Sequence, residues 1–124
     1  MKIAIGSDHA AYNIMGICKT YLEQKNIEVN DVGCYSTDSV HYPVYGENVA
    51  LKVADGSADF GIVICGTGLG ISMAASKVTG SRVALCTNTY MAKMSREHND
   101  ANILAFGARV VGMGVIEEMI DAFI

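Results

Sequence analysis

The sequence predicts an α/β protein, a three-layer, Rossmann-like sandwich built around a five-stranded parallel sheet. Three observations lead there. Short apolar runs alternate with stretches whose apolar residues recur every three or four positions. One run, FGIVIC at 60–65, is apolar throughout, the pattern of a parallel strand buried on both faces. The chain has 124 residues, 51% of them hydrophobic, one proline, and no repeat or linker, which suits one domain over 1–124.

The elements follow in order. KIAIG (2–6) reads as a first strand. Ile14, Ile17, Cys18, Tyr21 and Leu22 share one face, so 11–25 is a helix. IEVNDVG (27–33) alternates, as a second strand should, and 34–43 is a polar loop. A helix over 44–57 precedes the 60–65 strand, and another over 70–78 follows it. RVALC (82–86) is a fourth strand, 88–98 a helix and NILAFG (102–107) a fifth strand. Val115, Ile116, Met119, Ile120 and Phe123 give a last helix its apolar face.

The formal charge is −4 and no basic run stands out, which argues against nucleic acid or an anionic membrane as partner. A small anion stays possible, because a few local donors suffice to bind one. Cys18, Cys34, Cys65 and Cys86 form no C-x-x-C pair and no Cys/His cluster, so no metal site is expected. No signal peptide or membrane-length apolar run is visible, and free thiols fit a reducing cytoplasm.

Ligands of such sheets bind beyond the carboxyl ends of the strands, where strand order reverses. Asp8 and His9 follow the first strand, Tyr42 lies in the loop after the second, and Cys65 to Gly70 follow the third. His98 and Asn99, just before the fifth strand, are gathered with them. Cys65 is followed by GTGLG at the start of a helix. A helix N-terminus favours anions and can lower a thiol's pKa toward neutrality. Glycines let several N–H groups face one point. A thiolate beside such donors suits removal of a proton next to a carbonyl, with the oxyanion then held. The plainer alternative is a small core cysteine above a tight turn. The dinucleotide fingerprint is absent, because Ile71 and Met73 stand where its third glycine would be, and there is no Walker lysine. Asp8 and His9 suit a sugar hydroxyl and proton transfer, or else Ser7 or Asp8 caps a helix. His98 and Asn99 in REHNDAN also fit an ordinary helix C-terminus.

Four stretches, IAIGSDHA (3–10), HYPVYG (41–46), GIVICGTGLGISMAASKVTGSRVALC (61–86) and SREHNDANILAFGARVVG (95–112), resemble the type B ribose-5-phosphate isomerase family, which includes galactose-6-phosphate isomerase subunits. The resemblance implies a cofactor-independent aldose–ketose isomerase acting on a sugar phosphate through a cis-enediolate. It implies Cys65 as the base, Gly66, Thr67, Gly68 and Gly70 as the loop holding the enediolate, and Thr67 as a hydroxyl-proton shuttle. It implies His98 as the ring-opening residue, Asp8 on the ring and its hydroxyls, and Asn99 and Tyr42 as orienting residues. His9 and Arg109 resemble phosphate contacts. The family's dimers and tetramers carry active sites between subunits, so His98 and Asn99 are expected to serve a neighbour's Cys65. Two departures stand out. His41 before Tyr42-Pro43 resembles the galactose-6-phosphate B subunit, where ribose enzymes often carry Asp. The sequence ends at Ile124, and the expectation is a domain lacking the family's basic C-terminal extension, with weaker phosphate binding. A flavodoxin-like binding module would use the same loop, but no aromatic pair suits a flavin.

Overall fold

The computed structural model describes residues 1–33 and 42–124, without the side chains of Tyr42 and Pro43. Cys34 and His41 lie outside the described residues. The strands are β1 (Lys2–Ser7), β2 (Glu28–Gly33), β3 (Phe60–Cys65), β4 (Val83–Leu85) and β5 (Ile103–Gly107). The helices are α1 (Tyr12–Gln24), α2 (Tyr42–Ala54), α3 (Leu69–Ser76), α4 (Thr89–Glu97) and α5 (Met113–Phe123), and a 3₁₀ turn at His9–Ala11 leads into α1. The strands form one parallel sheet in the order β2-β1-β3-β5-β4.

Side chains alternate across each strand, so each face of the sheet has its own core. Ile3, Ile5, Ile62, Ile64, Leu104 and Phe106 pack against α1, α4 and α5. Ala4, Val63, Cys65, Ile103 and Ala105 pack against α2 and α3. This is the predicted three-layer sandwich. No described helix is long and apolar enough to cross a membrane.

The differences from the sequence reading are local. The loop after β2 was expected to reach residue 43, yet α2 begins at Tyr42. Pro43 fits a first helical turn, where no intrahelical N–H bond is needed. On α1 the buried residues are Met15, Cys18 and Leu22, and Ile17 is 47% exposed. Val115 is likewise partly exposed on α5, while Ile116, Met119, Ile120 and Phe123 are buried. β4 is shorter than expected, as suits an edge strand paired on one side only.

The topology fixes where a ligand can sit. β1 and β3 are neighbours, with Ser7 opposite Ile64. The chain leaves β1 toward β2 and leaves β3 toward β4, on opposite sides. A crevice therefore opens at the carboxyl ends of β1 and β3.

Candidate active site

Cys65 ends β3 and is only 5% exposed. Its Sγ accepts a hydrogen bond from the Gly68 N–H at 3.0 Å. That bond closes a tight loop that only glycine permits at its third position. Gly68 has φ +83, and a Cβ there would lie 2.6 Å from Leu85 Cδ1 and 2.7 Å from the Phe106 carbonyl carbon. Gly107, opposite Cys65 in the ladder, completes the fit: a Cβ there would lie 2.5 Å from the Thr67 carbonyl carbon. The loop at 66–68 thus lies flat against the end of β5.

The chain after β5 folds back over this loop. The Ala108 N–H donates to the Cys65 carbonyl at 2.8 Å, and the Arg109 N–H to the Gly66 carbonyl at 3.0 Å. Arg109 is thereby held beside Gly66. At the start of α3, Leu69 N–H donates to Thr67 Oγ1 at 3.2 Å, and Ser72 N–H to the Gly68 carbonyl. The Gly70 N–H, in the first turn, has no intrahelical acceptor by its position. α3 aims its positive end into the crevice.

From β1, the Asp8 N–H donates to the Ile64 carbonyl at 3.2 Å, which fixes Asp8 beside β3. Asp8 is buried, and its side chain makes no capping bond to the turn that follows. The capping alternative for Asp8 is thereby removed. Asp8 Oδ1 and His9 Nδ1 are the buried side-chain polar atoms that lack a partner among the described residues. Buried polar atoms are almost always paired, so two such atoms at one place point to a polar ligand. Both residues line a cavity of about 240 Å³ together with Ala10, Cys65, Gly66, Thr67, Gly70 and Arg109. Larger grooves along α1 and between α2 and α3, about 440 and 500 Å³, hold no such convergence.

The Ribose/Galactose Isomerase family model matches residues 3–124. The chain belongs to that family. It is an aldose–ketose isomerase of the ribose/galactose isomerase family. It is 46% identical over 123 residues to ribose-5-phosphate isomerase B of Escherichia coli (strain K12), covering 99% of this chain and 83% of that protein. It is 44% identical to the galactose-6-phosphate isomerase subunit LacB of Clostridium acetobutylicum, over 100% of this chain and 72% of that protein. Its structure matches ribose-5-phosphate isomerase B of Clostridium thermocellum with a TM-score of 0.98 and 55% identity, covering 99% and 83% of the two chains.

In this isomerase the cavity gathers seven of the eleven residues expected to form the site: Asp8, His9, Cys65, Gly66, Thr67, Gly70 and Arg109. Gly68 stands behind them, and its N–H is committed to Cys65 Sγ. Tyr42 opens α2, and its side chain is outside the description. His98 and Asn99 do not join the cavity, contrary to their gathering at the carboxyl ends. They are exposed, follow α4 and precede β5, and so lie at the amino end of a parallel sheet. The length of a six-residue strand, roughly 17 Å, separates that end from Cys65. Asn99 instead lines a groove with Leu85, Cys86, Tyr90 and Met94. Burial pushes the Cys86 thiol up to about 11, and burial plus the Glu117 charge push Cys18 up to about 12. Sequence reasoning missed Gly107 as the floor of the loop; its only signal was a glycine ending an apolar run.

Proposed function

We propose that this isomerase interconverts ribose 5-phosphate and ribulose 5-phosphate through a cis-enediolate, without a cofactor and with Cys65 as the base. The observation that carries the reading is the Gly68 N–H on Cys65 Sγ, in a cavity where Asp8 Oδ1 and His9 Nδ1 lack partners among the described residues. That N–H orients the sulfur and supports negative charge on it. Cys65 takes the proton from C2 of the open aldose, exchanges it with solvent while the enediolate is held, and delivers a proton to C1. The hydroxyl proton moves between O1 and O2 with Thr67 as relay. Backbone N–H groups of Gly66 and Gly70 face the enediolate, and one such donor is worth about 3–4 kcal/mol. Asp8 holds ring hydroxyls, and His9 and Arg109 receive the phosphate.

His98 opens the furanose ring, and Asn99 and Tyr42 orient the sugar. The separation of His98 from Cys65 within one chain supports a second copy supplying it. We therefore propose a homodimer or higher oligomer with sites between subunits, working in the cytoplasm on a soluble metabolite. Cys65→Ala tests the base: turnover should fall at least about a thousandfold with the fold intact by circular dichroism. A Cys65→Ala variant at the parent rate would reject the assignment.

A second reading, a subunit of a galactose-6-phosphate isomerase, is favoured by 44% identity to LacB along the whole chain. It predicts that the purified chain alone is silent on ribose 5-phosphate and gains hexose-phosphate turnover when a second subunit is added.

A further inference from the structure

The turn that presents His98 and Asn99 is held by a side-chain clamp. α4 ends at Glu97, and the chain reverses through Asp100 at φ +48, a left-handed conformation that aspartate adopts more readily than most residues but less readily than glycine. An acidic residue here also faces the negative end of the α4 dipole. The charge is unfavourable there, and two arginines from different elements offset it. Arg82, at the entry to β4, donates from Nε to the Asp100 carbonyl at 2.6 Å and from Nη2 to Oδ2 at 3.5 Å. Arg96, on α4, donates from Nη1 to Asp100 Oδ1 at 3.4 Å and to the Ala101 carbonyl. Arg96 is itself fixed, with its guanidinium 4.5 Å from the Phe60 ring and 5.7 Å from the Phe123 ring. The Ala101 N–H closes the turn onto the Ser95 carbonyl at 2.9 Å.

We propose that Asp100 is a positioning residue for ring opening: the Arg82–Asp100–Arg96 clamp sets the direction in which His98 and Asn99 leave the fold. Exposed ion pairs add little to stability, so a clamp of this kind on a left-handed residue is better explained by geometry than by stability. The inference rests on the proposed role of His98.

A partial reaction isolates that role. Removing a C1 proton from ribulose 5-phosphate needs Cys65 but no ring opening, whereas turnover of ribose 5-phosphate starts from the closed ring. The test follows the parent, Asp100→Gly and Arg82→Gln by proton NMR in D₂O. Asp100→Gly keeps the left-handed backbone and removes the carboxylate contacts to Arg82 and Arg96, while the arginine bonds to the Asp100 and Ala101 carbonyls can remain. Arg82→Gln alters an exposed side chain and carries the test if Asp100→Gly does not fold. The expected result is a fall of about tenfold or more in ribose 5-phosphate turnover, with deuterium entering C1 of ribulose 5-phosphate within about twofold of the parent rate. If both rates fall together, or neither moves, Asp100 is merely structural and the inference is overturned. If Cys65→Ala still exchanges C1, the reading of the site fails first, and this inference fails with it.

Discussion

Gly68→Ala is the sharpest structural perturbation of the site. Alanine at φ +83 costs about 1 kcal/mol or more in backbone strain. Its Cβ would stand 2.7 Å from the Phe106 carbonyl carbon and 3.0 Å from the Gly107 nitrogen, both backbone atoms of a central strand that cannot swing aside. Overpacking of that kind adds about 1–3 kcal/mol. The sum, about 2–4 kcal/mol, should lower the melting temperature by roughly 10 °C in a domain of this size. Turnover should fall further than stability alone requires, because the Gly68 N–H moves off Cys65 Sγ. The control is Gly16→Ala on the exposed side of α1, where a Cβ meets nothing within 4 Å. It should stabilise by about 0.5–1 kcal/mol. Thermal melts and steady-state rates read both variants. A Gly68→Ala protein that melts within about 2 °C of the parent would refute the packing argument.

Three further outcomes are expected. Iodoacetamide near neutral pH should alkylate Cys65 ahead of Cys18 and Cys86, whose burial holds them as neutral thiols (about 12 and 11); peptide mapping with Cys18 or Cys86 labelled first would contradict this. Because the Cys18 thiol is raised in the fold, its contribution to stability is whole below the ordinary thiol range and is lost as pH climbs toward 12. Urea melts of the parent above about pH 9 should therefore lose up to about 1.4 kcal/mol per pH unit more than those of Cys18→Ala, and equal slopes would count against it. Phe123→Ala should cost about 3–5 kcal/mol, since that ring is buried edge-to-face on Phe60 at 5.6 Å and beneath Arg96; a loss below about 1 kcal/mol would show that the cluster relaxes freely.

The layered fold was legible because the local patterns agree with one another. The uninterrupted run at 60–65 has the length and pattern of a parallel strand buried on both faces, and it is flanked by β1 and β5. The tight loop after Cys65 was legible from its glycines, whereas a site there, rather than a core cysteine above a turn, was suggested only by the resemblance of 61–86. Two things were not legible. The strand order puts β5 between β3 and β4, so Gly107 became the floor under Thr67, a contact 40 residues distant in sequence. The separation of His98 from Cys65 follows from strand direction: residues before a strand and residues after one lie at opposite ends of a parallel sheet. Sequence proximity to β5 suggested a shared site, and geometry divides it between the two ends. The left-handed backbone at Asp100 had only a weak sequence signal, since aspartate adopts it more readily than most residues but also occupies many other conformations.

The measurement that tests the central claim most directly is proton NMR of ribose 5-phosphate with the purified chain in D₂O, run beside Cys65→Ala. The account predicts ribulose 5-phosphate carrying deuterium from solvent, and no product from the variant. Undiminished product from Cys65→Ala would contradict an enediolate made by Cys65, and product without any solvent deuterium would contradict proton exchange at the Cys65 thiol.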